Sequence, residues 1–369
     1  MPGNKVSLHR QVATRIEQRV RQGTYREGQV LPSFRALGQE FGVSLNVIQR
    51  AVSHLSEQGI LVPHHGKGLA VAHPERCRRT AITFGFIHPY SAREAFEQQV
   101  FLYAEEAFTN RDNLMFIRSS QGDAGAEREA ARHLIHNGVQ GILLWPAEDN
   151  PNGGFFQELS RKTPVVLIDR LLEGANLPGV ILDFYTAGRE VCRYLFETLN
   201  RKKVLALIDP TKMTTNRNLL HGFCEQAAEM NRTSDLTVGE WPVLDLIRQL
   251  NVRDFSRVAE FRDRARAQLR EGGFDAVFCM HEEFLDFIVV ETGLLGEFPG
   301  LQLASMTDPV LNTRTRTYNE TGVVRWVMDF PRLISTGADR LQEWVLTRGC
   351  EKEIVKLGIP FKREGSDQE

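Results

Sequence analysis

The stretch YREGQVLPSFRALGQEFGVSLNVIQRAVSHLSEQGIL, residues 25–61, decides the fold of the amino-terminal part of the chain. Ser33 can cap a short helix with Leu37 on its apolar side, and Gly42 then stands where a tight turn needs a positive φ. In the helix that follows, Ile48 and Leu55 recur at helical spacing on one face. Two helices joined by a glycine-containing turn predict a helix-turn-helix, the motif whose second helix enters the major groove of DNA.

The opposite face of that second helix is polar. Asn46 and Gln49 carry amides that can pair with adenine edges, and Arg50 can pair with guanine. Ser44 can cap this helix at its start. A preceding helix, whose apolar residues recur every four positions from residue 8 to residue 20, completes a three-helix module. The pattern therefore predicts a base-reading face on the second helix of the motif.

A short hairpin is predicted directly after these helices. Two β-like stretches, residues 60–63 and 69–72, flank the sequence HHGKG. Gly66 and Gly68 permit a tight turn, and Lys67 supplies a cation at its tip. A wing of this kind would lie along the DNA backbone or in the minor groove. The alternative for Lys67 is an ordinary surface lysine in a turn, but its place after a helix-turn-helix favours a DNA contact.

The charge of the chain is unevenly distributed. Residues 1–80 hold 12 Lys and Arg against 5 Asp and Glu, a net of +7, whereas the whole chain has a net charge of −2. A basic head on an acidic body suggests that the head meets a polyanion, and a solvated head without such a partner is the alternative. The five cysteines form no CxxC pair and offer no zinc-ligand spacing. We expect neither a metal nor a cofactor.

The composition bounds the class of protein. Apolar residues make up 42% of the 369 and charged residues 25%, an ordinary globular balance that excludes a disordered or collagen-like chain. No apolar run approaches the roughly 18 residues that a membrane span needs. The first residues lack the apolar stretch of a secretory leader, so we expect a cytoplasmic location without a membrane partner.

The head resembles the GntR family of bacterial transcription regulators. The resemblance rests on G-x-Y-x-x-G, LPS-x-R-x-L, FGVS, RAVSHLSEQGIL and G-K-G, which follow in order over about 65 residues. It implies that Arg35 contacts phosphate or base, that Ser44, Asn46, Gln49 and Arg50 lie on the recognition helix, and that Gly66 and Lys67 lie at the wing tip. Where the family often has two arginines and a threonine, this chain has Leu45, Gln49 and Val47. The operator sequence of the family is therefore not carried over.

From residue 82 onward the sequence alternates strands and helices. Apolar runs at residues 82–87, 114–119, 141–145 and 165–169 read as strands, with helical stretches between them. The alternation continues to strands at residues 203–208, 276–280 and 302–306. This pattern predicts an α/β body with a doubly wound parallel sheet and right-handed crossovers. Residues 73–81, which carry three arginines, would link this body to the head.

Ligands of such sheets lie beyond the carboxyl ends of the strands. In this chain those ends fall at residues 88–93, 120–123, 169–170, 209–217, 281–283 and 307–308. They are rich in Asp, Arg, His and Glu, which suits a polyol or sugar that needs many hydrogen bonds.

The body resembles the effector domain of LacI/GalR repressors, which is itself similar to periplasmic sugar-binding proteins. GFIHP, EREAARHLIHNGVQGILLWP, PVVLIDR, VILDFYTAGREVCRYL, FDAVFCMHEEFLDF and SMTDP carry the resemblance over residues 82–364. It implies a two-lobed, type I periplasmic-binding-protein-like domain with the ligand in the cleft. Lobe one would comprise about residues 82–183 and 329–348, and lobe two about residues 184–325. The winged helix-turn-helix would occupy residues 1–72.

By position in the family pattern, the resemblance assigns effector contacts to Phe96, Asp123, Asp169, Arg170, Arg217, His281, Glu282 and Asp308. Asp308 falls on the family's cleft aspartate, an acceptor for sugar hydroxyls. Two departures stand out: His281-Glu282 replaces the usual Asn-Asp, and Leu219 stands in place of an arginine whose role Arg217 could take. Asp123 could equally cap the next helix, and Arg170 could simply pair with Asp169.

These observations predict a ligand-responsive transcriptional repressor. It would bind a near-palindromic operator in double-stranded DNA as a homodimer and be released by a sugar or sugar-like effector. The alternative is a cytoplasmic sugar-binding protein or an enzyme on the same α/β body. The sequence has no phosphate loop, no nucleophile elbow and no H-E-x-x-H motif, so an enzyme is not expected.

Overall fold

The fold is taken from a computed structural model of the chain. It describes residues 8–21, 23–57, 59–64, 68–72, 82–90, 95–110, 113–148, 150–210, 213–251, 253–307 and 322–362. The chain divides into two compact units, Met1–Ile82 and Thr83–Glu369. Within the described ranges, no helix combines the length and apolar character needed to cross a bilayer.

The amino-terminal unit is a winged helix-turn-helix. Its elements are α1 (Leu8–Arg21), α2 (Phe34–Phe41), α3 (Leu45–Glu57), β1 (Leu61–His64) and β2 (Gly68–Val71). Ser33 caps α2 by accepting a hydrogen bond from the Ala36 amide at 3.2 Å, and Gly42 ends that helix with φ 65°. β1 and β2 pair antiparallel, and a bridge from Val30 to Ala70 extends the ribbon.

One apolar core holds the three helices of this unit together. Ile16 of α1, Leu37 of α2 and Ile48 of α3 are fully buried in it. At its rim, Arg19 pairs with Glu40 and lies over the ring of Phe41, 4.7 Å from the ring centroid. α1 therefore packs against α2, and the polar face of α3 remains exposed to solvent.

The second unit contains two lobes, each built on a parallel sheet. Lobe one orders its strands β13-β7-β6-β5-β3-β4, with all neighbours parallel. Its central strands are buried on both faces, as parallel sheets covered by helices require. Its elements are β3 (Thr83–His88), α4 (Ala95–Thr109), β4 (Leu114–Ser119), α5 (Ala124–His136), β5 (Gly141–Leu144), α6 (Gly153–Leu159), β6 (Val165–Ile168), β7 (Gly179–Leu182), α12 (Phe330–Thr347) and β13 (Ile354–Leu357).

Lobe two repeats this plan with the strand order β14-β12-β11-β10-β8-β9, in which only the short β14 runs antiparallel. Two π-helical turns, Tyr194–Thr198 and Asp286–Val290, continue α7 and α11. Its elements are α7 (Phe184–Arg193), β8 (Val204–Ile208), α8 (Thr214–Glu229), β9 (Leu236–Glu240), α9 (Val243–Asn251), α10 (Val258–Gly272), β10 (Ala276–His281), α11 (Glu282–Leu285), β11 (Gln302–Thr307), β12 (Val324–Val327) and β14 (Phe361–Lys362). The α/β architecture predicted from the sequence is confirmed.

The chain passes between the lobes three times, after β7, after β12 and after β13. At the first two passes an aspartate caps the next helix: Asp183 accepts from the Thr186 amide at 3.2 Å, and Asp329 from the Arg332 amide at 2.9 Å. The two aspartates share one backbone conformation, with φ/ψ of −82°/72° and −87°/76°. The sheet of lobe two includes β12, which ends at Val327, and the short β14.

The helices α7 and α8 pack unusually closely because glycines face the opposite backbone. A Cβ on Gly188 would lie 2.2 Å from the Leu219 carbonyl oxygen, and one on Gly222 would lie 2.0 Å from the Tyr185 carbonyl oxygen. No side chain fits at either position without separating the helices.

We expect Gly222→Val to lower the free energy of unfolding by about 2–3 kcal/mol, because the added side chain forces α8 away from Tyr185. Urea denaturation measures the change. Gly154→Ala is the control, since Gly154 lies in α6 with nothing within 4 Å of its added Cβ. Equal stability of the two variants would contradict the close packing.

Candidate functional site

Three of the side chains predicted to contact DNA lie on α3 of the amino-terminal unit. Asn46, Gln49 and Arg50 are exposed along this helix, and Ser44 is exposed at its start. Arg35 is exposed in the first turn of α2. Gly66 and Lys67, predicted at the wing tip, lie outside the described residues. The exposed amides and guanidinium can bond to base edges without any rearrangement of the core beneath them.

In lobe one, Asp169 directly follows the carboxyl end of β6. Its buried carboxylate accepts a hydrogen bond from Trp145 Nε1 at 3.0 Å, and Arg170 Nε lies 3.5 Å from the same oxygen. Burial raises the pKa of Asp169, while Arg170 and the bond from Trp145 oppose that rise. Asp169 also adopts a positive φ of 63°, a strained conformation for a non-glycine residue. The sequence left open a simple Asp169–Arg170 pair, and the two side chains do pair.

Phe96 belongs to an aromatic cluster above the strand ends of lobe one. Its ring meets Tyr90, Trp145 and Phe330 edge-on, with centroids 4.7, 5.9 and 5.0 Å away. Trp145 and Phe330 are buried, whereas Tyr90 and Phe96 keep part of their surface exposed. The exposed parts of these two rings are the surfaces on which a sugar ring could stack.

His88 ends the strand β3 beneath this cluster. It is 3% exposed, and burial lowers its pKa to about 4, although Glu97 Oε1 lies 3.8 Å from Nε2. Its Nδ1 is buried, and no hydrogen-bond partner for it occurs among the described residues. His88 is therefore neutral at pH 7 and sensitive to acid.

In lobe two, His281 and Glu282 lie side by side at the end of β10. Glu282 is buried and forms an ion pair with Arg325 of β12, with Nε and Oε1 2.6 Å apart. Burial lowers the pKa of His281 to about 4. Glu282 thus holds a buried cation in the sheet, while His281 stands at the strand end, where a ligand would bind.

Two buried carboxylates fix the chain on either side of the cleft. In lobe one, Glu127 of α5 accepts hydrogen bonds from the Ala147 amide at 2.9 Å and from Asn152 Nδ2 at 3.0 Å. In lobe two, Asp209 accepts from the Leu244 amide at 2.6 Å, at the start of α9. Burial raises the pKa of Asp209, and the Leu244 amide opposes the rise. Both segments beyond the strand ends are therefore held rigidly.

An ion pair joins these two segments across the cleft. Arg248 Nη2 of α9 lies 3.3 Å from Glu148 Oε1, which follows β5 in lobe one. Arg248 also lies 3.4 Å from Asp245, one helical turn earlier. Glu148 follows the end of β5, but Arg248 lies within α9, so the sequence pattern points to neither side chain as a partner of the other.

The remaining predicted effector residues are Asp123, Arg217 and Asp308. Asp123 caps α5, with Oδ1 2.6 Å from the Ala126 amide nitrogen, so the capping alternative is realised. Arg217 is exposed near the start of α8, and Leu219 is buried. Asp308 lies outside the described residues. Their contact with an effector stays a prediction. In the described part of the chain, no group of three His, Cys, Asp or Glu side chains could hold a metal ion.

The two units match two different family models. Residues 8–71 match the model for bacterial regulatory proteins of the gntR family, and residues 81–239 match the model for periplasmic binding proteins and the sugar binding domain of the LacI family. The chain joins a GntR-type helix-turn-helix domain to a LacI-type domain. The resemblance inferred from the sequence motifs is confirmed for both units.

Curated relatives match parts of this chain. The arabinose metabolism transcriptional repressor of Geobacillus stearothermophilus is 23% identical over 185 residues, which cover 49% of this chain and 50% of the repressor. The mannosyl-D-glycerate transport/metabolism system repressor of Escherichia coli K12 is 41% identical over 64 residues, 17% of this chain and 27% of that protein. The chain thus aligns with half or less of the length of these relatives.

Solved structures resemble the LacI-type body. The periplasmic binding ribose operon repressor protein from Lactobacillus acidophilus has a TM-score of 0.60 at 17% identity, covering 77% of this chain and 97% of that one. The Cra transcriptional dual regulator from Pseudomonas putida, in complex with fructose 1-phosphate, has a TM-score of 0.59 at 18% identity, covering 77% and 98%. At these identities the likeness concerns the fold.

The stability of the chain should fall in mild acid because of His88. The unfolded chain binds a proton at its ordinary pKa near 6.5, but folded His88 does so only near 4. Its contribution is therefore complete above pH 6.5 and is lost as the pH falls, by up to about 2 kcal/mol at pH 5. His88→Gln should reduce the pH dependence of urea denaturation between pH 6.5 and 5, leaving the part that the similarly lowered pKa of His281 contributes.

His136→Gln serves as the control, since His136 is exposed on α5. A wild-type pH slope in His88→Gln would contradict the assignment of a buried neutral imidazole.

Proposed function

We propose that the protein is a transcriptional repressor that binds operator DNA through its winged helix-turn-helix and releases it when a sugar-like effector fills the cleft of the LacI-type body. One observation carries the proposal: Asn46, Gln49 and Arg50 are exposed on α3 of a GntR-type domain, joined to a LacI-type body. The matched curated relatives include two repressors of carbohydrate metabolism. We infer a cytoplasmic regulator that binds its effector without converting it.

The effector side of the proposal rests on the strand ends. Tyr90 and Phe96 offer ring surfaces for an apolar sugar face, and Asp169 and His281, each at the end of a strand, offer polar groups. A ligand can shift the repressor only as far as its affinity differs between the open and the closed lobes. We therefore place the effector between the two lobes rather than on one of them.

DNA binding is tested by selecting genomic fragments with the full chain and measuring their affinity at fixed salt. Arg50→Ala should weaken specific binding by about 1–3 kcal/mol, because a bidentate contact to a base edge is lost, and should affect scrambled DNA much less. Arg161→Ala is the control for the loss of one positive charge, since Arg161 is exposed on lobe one. Equal affinity of wild type and Arg50→Ala for the selected fragment would remove Arg50 from the interface.

The effector is sought by titrating L-arabinose and a panel of other pentoses, hexoses and sugar phosphates against the complex with the selected fragment. Release by one of them at micromolar to millimolar concentration is the expected outcome. Retention of the fragment against the whole panel, together with turnover of one of its members, would favour the enzyme alternative.

A near-palindromic operator requires a homodimer, and lobe one offers a surface for it. We define the edge surface as Phe101, Leu102, Leu114 and Phe116, whose exposed fractions are 49%, 51%, 59% and 50%. The last two lie on β4, the edge strand of the sheet, whose side chains are only partly covered on either face. An apolar edge strand left open to water is prone to pair with another chain, and a second copy would cover it.

We expect Phe116→Ser to raise the dimer dissociation constant at least about tenfold, because each dimer loses two buried rings. Sedimentation equilibrium of the full chain measures the constant. Phe255→Ser in lobe two is the matched control, with an equally exposed ring at 53%. If the Phe255→Ser dimer dissociated and the Phe116→Ser dimer did not, the dimer contact would not lie on lobe one.

A further inference from the structure

We propose that Arg248 and Glu148 form an electrostatic latch that favours the closed state of the cleft. The distance of 3.3 Å joins α9 of lobe two to the segment after β5 of lobe one. The proposal rests on the proposed function in one respect only: closure of the cleft is taken as the motion that carries the effector signal.

Glu148 lies in a segment that hydrogen bonds attach to α5. The Ala147 amide and Asn152 Nδ2 donate to the buried carboxylate of Glu127, and Asn150 Nδ2 does the same. Glu127 itself is fully buried on α5, so these bonds attach residues 147, 150 and 152 to that helix. A buried carboxylate is retained at a desolvation cost, which its hydrogen bonds offset only while the segment keeps this shape.

Arg248 is held in a matching way on the other lobe. The buried carboxylate of Asp209, at the end of β8, accepts the Leu244 amide at the start of α9. The apolar side of α9 packs Leu246 and Leu250 into the core beside Trp241. α9 is therefore attached to the sheet at its first turn and along one face, and Arg248 projects from the opposite side.

The charges around the pair favour a bridge across the cleft. Arg248 faces three carboxylates, those of Asp245, Glu148 and Asp209, of which only Glu148 belongs to lobe one. If the lobes separate, Arg248 keeps Asp245 and loses Glu148, and Glu148 loses a cation. With exposed fractions of 52% and 32%, the interlobe pair can bias closure without locking it.

The latch is tested on the free, full-length protein by amide hydrogen exchange of residues 145–148 and 243–248. Arg248→Glu and Glu148→Arg each place like charges across the cleft, so each should speed exchange in both segments at least about threefold. The double variant R248E/E148R restores opposite charges and should return exchange to within about twofold of wild type. Arg161→Glu, an exposed charge reversal on lobe one, should change neither segment.

The salt dependence of hydrogen exchange is a second test, and its expected direction differs between wild type and Arg248→Glu. Raising NaCl from about 0.05 to about 1 M screens exposed charges, so exchange should accelerate in wild type and slow in Arg248→Glu. The latch is refuted if both single variants exchange like wild type, or if the double variant stays as fast as the single ones. Neither measurement uses DNA or an effector, so a failed operator assay and a failed latch are separate results.

Discussion

Three passes of the chain between two parallel sheets constrain everything else in the LacI-type body. Each sheet buries its central strands completely, so each lobe moves as one block and deformation is confined to the passes. Because the strands of both lobes end towards the passes, their polar residues face one another across the same crevice. The position of the site therefore follows from topology, and its selectivity follows from the residues at the strand ends.

The polar groups of that crevice divide into those that hold the protein and those that remain for a ligand. Glu127, Asp209 and Glu282 are buried, and each satisfies a backbone amide or an arginine of its own lobe. Hydrogen bonds and ion pairs within the fold offset the cost of removing these carboxylates from water. The three carboxylates therefore shape the crevice and do not contribute to ligand affinity. His281 and the partly exposed rings of Tyr90 and Phe96 are less committed to the fold, and the effector contacts we propose lie among them.

Much of this arrangement could be predicted from the sequence because its causes are local. Runs of Val, Ile and Leu marked the strands, Ser33 and Gly42 marked the limits of α2, and the motif order marked both domain types. Residues 241–274, which fold into the helices α9 and α10, lie between the strands predicted at residues 203–208 and 276–280, and no element was predicted for them. The Arg248–Glu148 pair could not be predicted, since its partners are 100 residues apart and meet only when both lobes are folded.

The two capped passes determine by which property the LacI-type body distinguishes molecules bound in the crevice. Asp183 and Asp329 hold equivalent backbone angles at the start of equivalent helices, so we expect the lobes to rotate about these two residues. Rotation of the lobes about these two residues has essentially one degree of freedom. Compounds of different shape that produce the same angle between the lobes would then have the same effect on transcription. A tightly bound compound that produces a different angle would act as an antagonist.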